Sequence, residues 1–154
     1  MDQLKNMITE ITKDLSPELE KIALQDIGLM YQPDIQEELE GIEKGKYFGF
    51  CAIEDSKPVG YVVARKTVNT YQLVVIAVDK NYRNKGYGSQ LVDRIFNEIQ
   101  NQGGRILNVI TDADANDSLC FYLKNGFVLT GIVQDEFISG VAQAHLTRRV
   151  GFNP

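Results

Sequence analysis

The chain has 154 residues, of which 44% are hydrophobic and 24% charged. This is the composition of an ordinary globular protein, so we predict one domain over residues 1–154. A chain of this length folds without a disulfide or structural metal, and its two cysteines, Cys51 and Cys120, form no metal-binding pattern, so we expect no metal. The longest apolar run covers only residues 73–78 and the first residues lack a signal-type apolar core, which predicts a cytoplasmic protein without a membrane partner.

Charge is divided unevenly along the chain. Residues 1–57 carry 13 acidic and 6 basic side chains, a net charge of −7, whereas residues 58–154 carry 8 and 10, a net charge of +2. The overall charge of −5 argues against a nucleic-acid partner. Two interpretations of the acidic half stay open: its acids only solvate exposed helix faces, or they attract a cationic partner.

The first 45 residues predict a short strand over residues 7–12 and two helices. Ser16 as N-cap and Pro17 at the first helical position start the first helix, whose apolar positions extend to Met30. The second helix starts at residues 32–34 and runs to Gly45. Its outer face is acidic, with Asp34, Glu37, Glu38, Glu40 and Glu43.

The middle of the chain predicts a three-stranded antiparallel meander over residues 47–53, 59–64 and 71–78. A helix with one apolar face begins at Tyr87 and ends before Gly103. There follow a strand (106–110), a short helix (117–124) and two closing strands (127–133 and 142–148). No repeat or linker interrupts this order, which is typical of an α+β fold.

The segment between the third meander strand and the long helix carries the clearest chemical signal. It reads Arg83-Asn84-Lys85-Gly86-Tyr87-Gly88. Glycines at this junction let the backbone turn tightly and approach a ligand, and the first amides of the following helix suit a phosphate. Leu91 stands where a dinucleotide fingerprint requires a third small residue, so that motif is excluded. A simple glycine-rich turn with exposed basic side chains is the alternative.

Two motifs identify a family resemblance. Residues 83–88 match the Arg/Gln-x-x-Gly-x-Gly/Ala acetyl-CoA signature of the GNAT superfamily of N-acetyltransferases, and residues 121–127, Phe-Tyr-Leu-Lys-Asn-Gly-Phe, match its second signature. The chain resembles this family over about residues 46–133. The resemblance implies an α+β fold with a mixed, mostly antiparallel sheet, splayed between its fourth and fifth strands and flanked by helices. Acetyl-CoA would bind in the opening.

The resemblance also implies roles for individual residues. Backbone groups at the end of the fourth strand would pair with the pantetheine arm, and the amides of residues 84–89 would hold the pyrophosphate. Tyr122 would be the general acid for the departing thiolate, with plain aromatic packing as its alternative. Lys124 either reaches a phosphate of the cofactor or is an exposed helix-end lysine. The implied cofactor-binding residues are Ile76, Ala77, Val78, Arg83, Asn84, Lys85, Gly86, Tyr87, Gly88, Ser89, Asn116 and Lys124.

One position departs from the family pattern. Many members carry an asparagine seven residues before the motif tyrosine, where this chain has Ala115. Asn116, one residue later, either contacts the cofactor or caps the short helix.

The general base is not evident from the sequence. The candidates are the carboxylates Glu54, Asp112, Asp114, Asp135 and Glu136. We interpret His145, in a closing strand, as a packed or surface imidazole, and Cys120 as a small core residue.

The expected activity is transfer of the acetyl group of acetyl-CoA to a primary amine, by direct attack in a ternary complex. A small cationic amine is favoured as the acceptor. Alternatives are a protein N-terminus or lysine as acceptor, or a CoA-binding module without catalysis. Residues 136–142 are faintly similar to the Tyr-Tyr-x-x-Gly-x-x-Ala segment of peptide acetylators, but both tyrosines are missing. The sequence does not determine the oligomeric state, for which a homodimer is one alternative.

Overall fold

The computed structural model describes residues 6–26 and 34–151, which form a seven-stranded sheet with helices on both faces. The sheet order is β1-β2-β3-β4-β5-β7-β6; all pairs are antiparallel except β4 and β5, which are parallel. The strands are β1 (Asn6–Glu10), β2 (Tyr47–Glu54), β3 (Lys57–Lys66), β4 (Tyr71–Val78), β5 (Ile106–Asp112), β6 (Val128–Gln134) and β7 (Ala142–Arg149). The α-helices are α1 (Ser16–Ala23), α2 (Ile35–Glu43), α3 (Tyr87–Asn101) and α4 (Asn116–Lys124).

Each face of the sheet has its own hydrophobic cluster. On the α3–α4 face, Leu91 and Ile95 of α3 pack with Leu107 of β5 and Leu146 of β7. On the α1–α2 face, the cluster contains residues of α1, α2 and the strands β2, β3 and β4. Among the described residues, no member of this second cluster comes from β5, β6 or β7. Among the described residues, the α1–α2 face of these three strands therefore lies outside the apolar core.

The sheet opens between β4 and β5. These strands pair only at Tyr71 with Leu107 and at Gln72 with Asn108. The predicted splay is thus confirmed, and it leaves the edge of β4 from Leu73 onward unpaired on the β5 side. We call this opening the seam.

A β-bulge at Val74 shifts the side-chain alternation of β4, so the side chains after the bulge point to the opposite faces from those that the pattern before it would give them. Ala64 of β3 pairs with Leu73 and Val63 pairs with Val75, so Val74 is the extra residue. Leu73 packs on the α3–α4 face, whereas Val75 lies in the cluster on the α1–α2 face. A bulge shifts the two-residue alternation of a strand by one position, and so changes which side chains border the seam.

The strand and helix predictions from Tyr47 onward are confirmed to within about three residues at each boundary. The beginning of the first helix differs. Ser16 is its first helical residue, and Leu15 occupies the N-cap position without a side-chain hydrogen bond. Pro17 still stands in the first turn, where its missing N–H costs nothing.

The extent of the N-terminal helices also differs in part from the prediction. α1 ends at Ala23 and a 3₁₀ turn (Leu24–Asp26) follows it. Met30, placed in this helix from the sequence, lies outside the described residues, as do residues 32 and 33 at the predicted start of the second helix. Asp34 caps α2: its Oδ1 accepts hydrogen bonds from the amides of Gln36 and Glu37, each at 3.1 Å.

One residue of the acidic face of α2 is wrongly placed by the sequence. Glu38 is buried, with 2% of its surface exposed, because it lies one turn from Ile35 on the packed side of the helix. Neither of its carboxylate oxygens has a hydrogen-bond partner among the described residues. Burial, with added repulsion from Asp34 and Glu37, raises the pKa of Glu38 to about 8.

The described part of the chain contains no helix that is long and apolar enough to cross a membrane.

Candidate active site

The loop between β4 and α3 leads directly into the N-terminus of α3. Asn84 (φ +62°) and Gly86 (φ +88°) adopt left-handed conformations that turn the chain into α3. Gly86 is the N-cap of α3 and, without a side chain, makes no capping hydrogen bond to the amides of the first turn. These amides and the positive end of the helix dipole form a site that suits an anion. The phosphate site that the sequence predicts at this loop is compatible with this geometry and stays a prediction.

The side chains of the loop differ in what they offer to a ligand. Arg83 is exposed, and its Nε donates a hydrogen bond to the carbonyl of Val78 at 3.0 Å. The ammonium of Lys85 lies 5.0 Å from the centre of the Tyr82 ring. Tyr87 points into the core, where its hydroxyl donates to the carboxylate of Glu54. Positive charge thus remains at the loop, and Tyr87 offers only its backbone.

Gly88 brings α3 and α4 together. A Cβ atom at this position would lie 2.9 Å from Cε2 of Phe121. A larger residue here would require the Phe121 ring or the α3 backbone to shift, because real Cβ atoms essentially never come so close to another heavy atom. The second glycine of the signature therefore also has a packing role, which the sequence analysis missed.

The end of β4 borders the seam. Ile76 and Ala77 pair with β3 on one side, and nothing from β5 pairs with them on the other. Adjacent residues of a strand direct their backbone groups to opposite edges, so only one of Ile76 and Ala77 can offer its N–H and C=O to the seam. The carbonyl of Val78 already accepts a hydrogen bond from Arg83.

Tyr122 of α4 lies in the core on the α3–α4 face, with 7% of its surface exposed. Its ring packs against those of Phe121 and Phe127 with centroids 5.4 and 5.3 Å away. Burial raises the pKa of Tyr122, so the phenol stays protonated at neutral pH. Aromatic packing is therefore present, and the hydroxyl is in the form that a general acid requires.

The remaining residues of α4 bear on three predictions. Ala115 is the N-cap and Asn116 is the first helical residue, so the interpretation of Asn116 as a cap is wrong. Asn116 and Lys124 are both exposed, at opposite ends of the helix. Cys120 is also exposed, because Tyr122 occupies the buried side of this short helix, so its assignment to the core is wrong.

The candidate general bases form hydrogen bonds with different partners. Glu54 accepts from Tyr87, and Asp112 accepts from Gln143 at 2.8 Å. Asp135 accepts from the amide of Gly140 and from the side chain of Gln134, which lowers its pKa. The exposed Asp114 lies in the turn after β5.

The fifth candidate pairs with the histidine. Oε2 of Glu136 lies 2.6 Å from Nε2 of His145. His145 is half-buried, as the sequence interpretation allowed, but its carboxylate partner was not predicted. No group of three or more metal-ligating side chains occurs within residues 6–26 and 34–151.

Comparison with known proteins identifies the family. The model of the acetyltransferase (GNAT) family matches residues 7–127. The chain belongs to the GNAT family.

Relatives and solved structures agree with this assignment. An uncharacterised N-acetyltransferase of Bacillus subtilis, YvbK, is 28% identical over 115 residues, which are 75% of this chain and 74% of that protein. The ribosomal-protein-S18-alanine N-acetyltransferase of Escherichia coli superposes with a TM-score of 0.80 at 16% identity, covering 97% of this chain and 96% of its own. An aminoglycoside 6′-N-acetyltransferase complexed with coenzyme A superposes with a TM-score of 0.79 at 17% identity, covering 96% and 99%. The structural likenesses show the shared fold.

As a GNAT protein, the chain is an acetyl-CoA-dependent N-acetyltransferase, and acetyl-CoA is its acyl donor. The loop amides and the seam-side edge of β4 are the predicted sites for the pyrophosphate and the pantetheine arm of that donor. This assignment favours a catalytic protein over the alternative of a module that binds CoA without catalysis. The roles of individual residues, including Tyr122, stay predictions.

Proposed function

We propose that this GNAT enzyme acetylates the primary amine of a small molecule, which attacks acetyl-CoA directly in a ternary complex. The observation that carries the proposal is the seam between β4 and β5. Tyr87, at the end of the proposed phosphate loop, and Tyr122 belong to the cluster on the α3–α4 face. No described residue of β5, β6 or β7 belongs to the apolar cluster on the other face. Donor and acceptor can thus meet from opposite sides of the sheet.

The donor would be bound mainly by backbone groups. The seam-side edge of β4, near Ile76 and Ala77, would hold the pantetheine arm, and the amides of residues 84–89 would hold the pyrophosphate. Arg83 and Lys85 add positive charge there, and the exposed Asn116 and Lys124 extend this surface from α4. The thioester is already an activated acyl group, so no covalent enzyme intermediate is needed.

The acceptor would bind on the α1–α2 face. A groove of about 380 Å³ lies there at the closed end of the seam. We call it the seam groove; its lining includes Thr70, Gln72, Asn108, Ile110, His145 and Thr147. Hydroxyl and amide groups dominate this lining and suit an acceptor that carries its own hydroxyl or amide groups.

Charge favours a cationic amine. The acidic N-terminal half supplies α2, whose carboxylates Glu37 and Glu40 are exposed. Negative potential on this side of the protein raises the encounter rate of a cation more than its final affinity. Glu38 does not contribute to such a surface, because it is buried.

A peptide amine is the second candidate. The loop between β6 and β7 exposes two large apolar side chains, Phe137 (63%) and Ile138 (45%), next to Glu136. An extended chain could pack against them, and the Escherichia coli neighbour acts on an alanine of a ribosomal protein.

Three further predictions from the sequence remain proposals: a single domain over residues 1–154, a cytoplasmic location and a homodimer.

The test is release of free thiol from acetyl-CoA in the presence of a panel of amines. The panel includes polyamines, amino sugars, amino acids, peptides with free N-termini and lysine peptides blocked at the N-terminus. We expect turnover with at least one small cationic amine and little with the lysine peptides. Turnover with peptides alone would contradict the small-molecule proposal, and binding of acetyl-CoA without turnover of any amine would contradict the catalytic one.

A further inference from the structure

The one histidine of the chain lies on the sheet face where we place the acceptor. Its neighbours on β7, Ala144 and Leu146, belong to the cluster on the α3–α4 face, so His145 points to the opposite face. There it lines the seam groove and is paired with Ile110 of β5. Ile110 lies two residues beyond the last pair between β4 and β5. The imidazole is therefore beside the point where the seam opens.

The loop between β6 and β7 fixes the carboxylate partner of this imidazole. Asp135 adopts a left-handed conformation (φ +57°), accepts a hydrogen bond from the amide of Gly140 and donates its own amide to the carbonyl of Val141 at 3.1 Å. This arrangement directs Glu136 back over β7, 2.6 Å from Nε2 of His145. The two side chains remain 23% and 31% exposed, so a substrate in the groove can reach the pair.

The other ring nitrogen is available. Nδ1 of His145 forms no hydrogen bond with any residue in 6–26 or 34–151. When a carboxylate holds one ring nitrogen as N–H, the neutral imidazole keeps its lone pair on the other nitrogen. The same arrangement occurs in the catalytic triads of enzymes with a serine nucleophile, where a carboxylate bonds one ring nitrogen and the other nitrogen is the general base.

The other candidate bases are less suitable. Glu54 is bonded to Tyr87, whose side chain lies in the α3–α4 cluster on the opposite side of the sheet. Asp135 is used to close its own loop. Asp112 shares the face of His145, since it pairs with Gln143 along β7, but its Oδ1 accepts from the buried Gln143 side chain. Asp112 is therefore the strongest competitor.

We propose that His145 is the general base for the acceptor amine, and that Glu136 orients its ring and stabilises the imidazolium. This inference rests on the proposed function. The amine attacks in its neutral form, so a cationic amine first releases one proton to water. Its nitrogen then forms a bond to the thioester carbonyl carbon, and the carbon–sulfur bond breaks. Nδ1 of His145 takes a proton from the nitrogen, while Tyr122 supplies one to the departing thiolate. Both side chains exchange back with water, so the products are one amide and one free thiol.

The experiment compares variants with the best amine of the panel. We expect H145Q to lower kcat by about 10²-fold or more, with the KM for acetyl-CoA unchanged, as is typical of a lost general base. E136Q should lose less, because the imidazole remains. Added imidazole should restore part of the activity of H145A, which a merely structural histidine would not allow.

The matched control is D93N. Asp93 also pairs with a basic side chain of β7, since Arg148 Nη1 lies 2.9 Å from its Oδ1, but on the α3–α4 face. This variant should keep the wild-type kcat. Because the chain has one histidine, the imidazole signal in NMR spectra reports on His145 alone, and it should shift when the amine is added to the CoA-bound protein.

Each contrary outcome has a separate meaning. Wild-type turnover with undiminished kcat in H145Q would overturn the role of His145 while leaving the proposed function intact. Loss of activity in D112N with full activity in H145Q would place the base at Asp112 instead. Absence of turnover by the wild type with every amine would overturn the proposed function, and the role of His145 with it.

Discussion

Gly88 of α3 lies directly against the ring of Phe121 of α4, so closely that a Cβ atom would be 2.9 Å from Cε2. Phe121 in turn packs edge-on against Tyr122. The helix whose first turn is proposed to bind the cofactor phosphates and the helix that carries the proposed acid thus come into close contact at this glycine. Two signature motifs, far apart in the sequence, form one packed unit.

G88A should destabilise the protein. Overpacking of this kind costs about 1–3 kcal/mol, because the Phe121 ring or the α3 backbone must move. A loss of this size lowers Tm by several degrees in a domain of this length. Thermal unfolding followed by circular dichroism measures it. The control is G131A, since a Cβ on Gly131 meets no atom within 4 Å; equal Tm values for the two variants would contradict the packing role.

G86V should lose acetyl-CoA binding. The φ of +88° at Gly86 disfavours any side chain by about 1–2 kcal/mol, and a branched one would also occupy the approach of the phosphates. Gly103, at the other end of α3, has a similar φ of +80° and open space around it. G103V should therefore lose comparable stability and retain the cofactor, as titration calorimetry with acetyl-CoA would measure. Unchanged binding by G86V would show that the loop is only a turn.

Y122F should separate catalysis from packing. The substitution keeps the ring contacts and removes the hydroxyl, so we expect kcat to fall about 10²-fold with the affinity for acetyl-CoA unchanged. Burial raises the pKa of Tyr122, so its ionisation should not limit activity at alkaline assay pH. Y71F is the matched control, because it removes another buried hydroxyl, which donates to Gln102 at 3.2 Å. Parallel losses of kcat and affinity in Y122F would indicate packing alone.

E38Q should make stability less dependent on pH. The pKa of Glu38 is about 8 in the folded protein against an ordinary value of 4.5, so the folded state holds its proton where the unfolded chain has lost it. Stability is therefore full below about pH 4.5 and falls as pH rises toward 8, by an amount of the order of 4 kcal/mol.

The measurement is Tm between pH 5 and pH 8 for the wild type, E38Q and E20Q. Glutamine cannot ionise, so E38Q should lose less stability than the wild type as the pH rises, and the difference should be small at pH 5. Glu20 is exposed on α1, so E20Q should follow the wild type. Identical curves for all three proteins would mean that Glu38 ionises without cost in the folded state.

Much of the fold could be predicted because local patterns decide it. The apolar runs bounded by turn residues within residues 47–78 and the apolar face of α3 are short-range signals, and they predicted the elements within about three residues. Errors occurred where a single side chain chooses between core and solvent. The sequence placed Glu38 on the solvent side of its helix and Cys120 on the core side, and the structure shows the reverse. A short helix can rotate about its axis to suit its tertiary contacts.

The sequence alone determined the family through two motifs: a glycine-rich loop, predicted to bind the phosphates of acetyl-CoA, and a short helix with Tyr122. Both are local, since their function depends on backbone conformation and spacing within a few residues. Only the tertiary structure decided which groups meet across the sheet. The bulge at Val74 sets the faces of β4, Gly88 meets Phe121, and Glu136 meets His145 across a loop. These contacts depend on strand register and on loop closure, which join residues distant in sequence and are not encoded in any local pattern.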